Sequence, residues 1–111
     1  MANAPKRKGD AAELEAARII HDLLGFPARR KLGAGRIDDT GDIDGVPDTV
    51  VQVANWSDVR AAAVQKPKGA ESQRINAGAT FAATFVRFRG GVWRVVLTPE
   101  QWATLVREAI P

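Results

Sequence analysis

Thr49-Val50-Val51-Gln52-Val53-Ala54 is β-branched and apolar at nearly every position. A run of this kind reads as a strand covered on both faces, the usual central strand of a sheet flanked by helices. Just upstream, Gly45-Val46-Pro47-Asp48 has hairpin-turn chemistry, which pairs the run with a short strand over Asp42–Asp44. Further upstream, 28–32 suits a first strand, followed by a flexible Gly33-Ala34-Gly35 turn. Asp10–Leu24 reads as an amphipathic helix, with Asp10 as N-cap, Glu13 in capping-box position and Gly25 as the stop. Leu14, Ala17, Ile20 (or His21) and Leu24 form its expected apolar stripe. Downstream, Ser57 caps a short helix to Gln65 before Pro67, and 70–77 makes a second. Phe81–Phe88 and 92–97 are strands around a Gly90-Gly91 hairpin. Thr98-Pro99 opens a last helix. The order αβββα(α)ββα predicts an α/β protein, a single domain with a mixed β-sheet flanked by helices. Residues 1–9 read as a flexible basic arm and 10–111 as that domain.

With 111 residues, 45% hydrophobic and 26% charged, the chain is long enough for one modest core. It has no cysteine and one histidine, His21, which excludes disulfides, thiolate metal sites and a His-rich zinc site. Any metal must sit on oxygen ligands, so magnesium or manganese is the expected ion. No apolar run approaches the roughly 20 residues that span a bilayer, and no signal-peptide core follows the basic start, so no membrane and a cytoplasmic setting are expected. The net charge is +3, with a pI near 9.8. Basic residues cluster at 6–8, 29–36, 66–74 and 87–94, while acids gather between Asp38 and Asp48. An acidic knot in a basic chain suits a polyanion-binding surface around a cation centre.

Three positions then become the candidate site: Glu13, Asp42 and Gln52. A metal-dependent phosphodiesterase needs oxygen ligands converging from different elements on one cation. The hairpin turn sets Asp42 beside Gln52, and a helix packed across the sheet can deliver Glu13. Asp48 lies too near Gln52 in sequence to oppose it, and the aspartates lack the terminal Glu of a calcium loop.

Several stretches give this arrangement a specific likeness. Lys8-Gly9-Asp10-Ala11-Ala12-Glu13, then Gly25-Phe26-Pro27-Ala28-Arg29-Arg30, Gly33-Ala34-Gly35, Asp42-Ile43 and Gln52-Val53-Ala54 follow one another in order. Over residues 6–56 this resembles the PD-(D/E)xK nucleases, specifically the archaeal Holliday junction resolvases and small phage-encoded resolvase-like endonucleases. The resemblance implies a restriction-endonuclease-like core and magnesium-dependent cutting of branched or structured DNA, in DNA recombination, by a homodimer. It implies Glu13, Asp42, Gln52 and the carbonyl of Val53 as metal ligands, and Lys6, Arg7, Lys8, Arg29, Arg30, Lys31 and Arg36 as DNA contacts. The family glutamate is Gln52 here and the family lysine is Ala54. Some superfamily members bring the lysine from a neighbouring helix, which points to Lys66 or Lys68, with Gln65 and Gln73 able to hydrogen-bond nearby. Phe81–Phe88 and Trp93 are the expected dimer contacts. The competing expectations are a DNA-binding relative that does not cut, and a small phage accessory interaction protein. His21, Trp93 and Trp102 read as structural, and Trp56 stands beside the candidate site.

Overall fold

A computed structural model describes residues 4–31 and 40–111, with the backbone alone for 4–8. The elements are α1 (Ala4–Leu24), β1 (Arg29–Arg30), β2 (Ile43–Asp44), β3 (Thr49–Ala54), α2 (Val59–Ala77), β4 (Phe81–Phe88), β5 (Val92–Val96) and α3 (Pro99–Ala109). They form one α/β domain with a five-stranded mixed sheet and three helices. The sheet runs β1-β2-β3-β4-β5. Neighbours are antiparallel except β3 and β4, which are parallel and joined by the α2 crossover.

β3 is the centre, as its composition predicts: all of Val50–Ala54 is buried. Its alternation splits the core. Val51 and Val53 face α1, where Ala12, Ala16, Ala17, Ile20 and Ile43 close one cluster. Val50 and Ala54 face α2, packing with Ala70 and Ala82 and with Ala62 and Val86. Each buried valine contributes roughly 1.5–3 kcal/mol.

α1 starts at Ala4, six residues before the expected Asp10 cap. Pro5 has the fixed φ suited to a first helical turn, and the stretch from Lys6 to Leu24 holds no further proline. Asp10 therefore lies inside the helix, and its carboxylate meets Arg30 at 2.8 Å instead of capping the backbone. The buried stripe is also rotated from the expected one. Small side chains at 12, 16 and 17 let α1 approach the sheet closely, while Leu14, Leu24 and His21 are exposed.

The two short helices expected around Pro67 are one continuous helix, α2. An interior proline costs a helix about 3 kcal/mol, but burial of Ala62, Pro67, Ala70 and Gln73 across the crossover outweighs it. Asp58, not Ser57, is the N-cap, accepting from Ala61 N at 3.0 Å. The Pro67 carbonyl accepts Gln101 Nε2 at 3.1 Å, which ties α3 to α2. α3 begins as its sequence predicts, with Thr98 as cap, Pro99 in the first turn and Gln101 completing a capping box. β4 lies between β3 and β5 and places Phe85 and Val86 in the two cores, so it is an interior strand. Trp93 is likewise engaged inside the protein, edge-on to Phe85 with centroids 6.4 Å apart. No described helix is long and apolar enough to cross a membrane.

Candidate functional site

Asp42 lies where β2 separates from β3. Its backbone N–H donates to Val51 O at 2.8 Å, but the next N–H along β3, that of Val53, donates to the Asp42 side chain, also at 2.8 Å. The carboxylate has taken the place of a ladder carbonyl. It therefore sits at the level of the sheet, accessible to groups from either face. Gly41 makes this approach feasible. It has φ +102°, and a Cβ there would meet Val50 Cγ1 at 2.9 Å and Val51 O at 3.0 Å.

Gln52 meets the same carboxylate from the α2 side. With its amide oriented by the hydrogen-bond network, Nε2 donates to Asp42 Oδ2 at 2.9 Å. The rest of the amide pairs with Gln73, donating to Oε1 and accepting from Nε2, both at 3.1 Å. Its oxygen also accepts from Lys66 Nζ at 3.2 Å. Gln52 and Gln73 are both about 5% exposed, so these bonds satisfy groups whose desolvation otherwise costs about 1–3 kcal/mol each. Thr84, the β4 register partner of Gln52, is fully buried, and among the described residues its hydroxyl has no partner.

Glu13 comes from α1. It accepts from Arg30 Nε at 3.1 Å, and the same guanidinium holds Asp10 at 2.8 Å. Burial pushes the Glu13 carboxyl above the ordinary glutamate range; the Arg30 hydrogen bond opposes this, and the negative charge of Asp42 adds to it. Two carboxylates from different elements thus share one half-buried neighbourhood, a setting in which an added cation is favoured.

The other candidate residues divide clearly. Lys66 turns inward to Gln52 and stands 5.5 Å from the centre of the Trp56 ring. Lys68 is exposed, since two residues along a helix place it on nearly the opposite side. Gln65 is exposed as well. Val53 enters through its N–H. Arg30 is engaged with Asp10 and Glu13, and Lys31 with Asp44 at 3.3 Å and Thr40 Oγ1 at 2.6 Å. Both cations thus hold β1 in place, whereas Arg29 is exposed. Arg36 and the turn at 33–35 lie outside the described residues, as do the side chains of Lys6, Arg7 and Lys8.

Among the described residues no group of three or more His, Cys, Asp or Glu side chains stands ready for a metal. The donor set is two carboxylates, both hard oxygen ligands, with the Gln52 amide beside them presenting its N–H to Asp42 and its oxygen to Lys66. That matches magnesium, which keeps much of its water and takes one or two carboxylates plus a substrate phosphate.

Sequence reasoning missed the Arg30–Glu13 pairing, which depends on contact between distant elements and leaves no local spacing to read. Comparison with family models, curated proteins and solved structures returns no match.

Proposed function

We propose that the chain is a metal-dependent endonuclease that cuts branched or structured DNA, in the manner of the PD-(D/E)xK enzymes it resembles. The observation that carries this reading is the convergence on Asp42. Its carboxylate is fixed by Val53 N and Gln52, Glu13 is close enough for the two charges to interact, and Lys66 reaches the same amide.

Glu13 and Asp42 would hold magnesium or manganese, with the Gln52 oxygen as a neutral third donor once its amide turns. When bound, the ion supplies Lewis-acid polarisation of the scissile phosphate and makes the attacking water more acidic. The protein's own groups do the rest. Val53 N–H fixes the Asp42 carboxylate whichever way the Gln52 amide faces, so that carboxylate needs no reorganisation. Lys66 brings a positive charge to where Ala54 offers none, and the Trp56 ring beside it limits its freedom. Arg30 holds Glu13 against β1 through Oε1, so ligation would fall to Oε2 or displace that bond.

Glu13's present bond to Arg30, and an amide in place of the family glutamate, favour the second reading, a relative that binds DNA without cutting it. The two separate on a labelled four-way junction incubated with magnesium. The nuclease reading expects cutting by the wild-type protein, none in EDTA and none by Asp42→Asn. Binding without any magnesium-dependent product would replace it with the second reading.

A further inference from the structure

At the C-terminal ends of the parallel strands β3 and β4 lies a cleft of about 890 Å³ between the turn entering α2 and the β4–β5 hairpin. This is the end of an α/β sheet at which ligands gather. Its lining includes Asn55, Trp56, Arg60, Arg87 and Arg89. Arg87 is pinned by Glu15, Nε to Oε1 at 3.1 Å. Arg60 and Arg89 are exposed and, among the described residues, form no ion pair. Asp58 also lines the cleft, but its carboxylate is turned to cap α2. Trp56 is 38% exposed, and Lys66 connects its ring to Gln52.

We propose that this cleft binds an unpaired nucleic-acid strand, with a base against Trp56 and phosphates on Arg60 and Arg89. The proposal deepens the nuclease reading and rests on it for the identity of the ligand. A base within a duplex has both faces stacked and shows only its edges, whereas an unstacked base can use an aromatic platform. The volume falls within the roughly 300–1,000 Å³ of pockets that enclose a small ligand, enough for unstacked nucleotides and too little for a double helix. Two free guanidinium groups and one indole read backbone charge and a π-face, so the site accepts any sequence. Lys66 lies between the Trp56 ring and Gln52, so a strand seated here reaches the Lys66 end of the candidate site. The favoured substrates are then those with a splayed or single-stranded segment beside the cut.

The test is fluorescence anisotropy with labelled oligo-dT, oligo-rU and a dT·dA duplex, all in EDTA so that cutting plays no part. The intact chain is compared with Trp56→Ala, Trp56→Phe, Arg60→Ala/Arg89→Ala and Asp42→Asn, each checked for folding by its thermal melt. Single strands should bind more tightly than the duplex. Trp56→Ala should weaken strand binding about tenfold, with Trp56→Phe recovering most of it. The double arginine variant should reduce the salt slope by about 1.4, two phosphates' worth for a single strand. Preference between the dT and rU strands identifies the natural sugar, and either preference supports the site. Equal affinity for duplex, no strand binding, or strand binding untouched by Trp56→Ala in a folded protein overturns it. If the cleft variants lose binding while the wild type cuts nothing in magnesium, the nuclease reading fails and the cleft stands.

Discussion

Lys66 on α2 and Gln52 on β3 meet through Nζ and the amide oxygen at 3.2 Å, so a crossover helix delivers a cation to the middle of the central strand. The neighbouring β3 position that points the same way is Ala54, which has no charge to offer. If Lys66 stabilises charge as the phosphodiester breaks, Lys66→Ala should slow single-turnover cleavage on the order of 100-fold, while Lys68→Ala cuts at nearly the wild-type rate. Equal effects from the two lysines would show only a general loss of positive charge.

On the proposed reading Asp42 has two separable tasks, holding β3 and ligating the ion. Asp42→Ala leaves the Val53 N–H without its acceptor, which should lower stability by about 1–3 kcal/mol in urea unfolding. Asp42→Asn keeps an oxygen there and should recover most of that loss, yet remain inactive because its charge is gone. An Asn variant that cuts DNA normally would remove Asp42 from the chemistry.

Gly41 should tolerate no side chain. A Cβ at this position would press on β3 at 2.9–3.0 Å, in a backbone conformation that L-residues rarely adopt. Gly41→Ala should therefore lower the thermal midpoint by several degrees and displace Asp42, reducing cleavage more than the stability loss explains. An unchanged melt would mean that this segment adjusts freely.

Acid should loosen the α2–α3 contact through Glu71. Burial raises its pKa, but hydrogen bonds from Gln101, at 2.9 Å, and Arg74 together bring it below the ordinary 4.5. A carboxylate depressed in the folded state stabilises above its unfolded pKa and loses that contribution as pH falls through the folded value. Glu71→Gln should therefore melt lower than wild type near neutral pH, and the gap should close as the pH falls below the ordinary glutamate range. A gap independent of pH would assign the effect to packing.

Much of this was legible because the signals were local. The run of β-branched residues in β3, the Thr98-Pro99 helix start and the Gly90-Gly91 hairpin each depend on neighbouring residues alone. Glu13, Asp42 and Gln52 could be grouped because a hairpin and one packed helix leave few places for them to point. What was not legible depended on packing between distant elements. Pro67 reads as a helix break until burial on two strands opposes it, and Leu14 reads as core until alanines let α1 lie closer on another face. Arg30 and Lys31 read as phosphate contacts because sequence does not reveal that Asp10, Glu13 and Asp44 await them.

The central claim is that Glu13 and Asp42 together hold a divalent ion. Manganese-soaked crystals, read by anomalous scattering, test it most directly. A single peak about 2 Å from an oxygen of each carboxylate is the result expected. Manganese ordered elsewhere, or not at all at saturating metal, would contradict it.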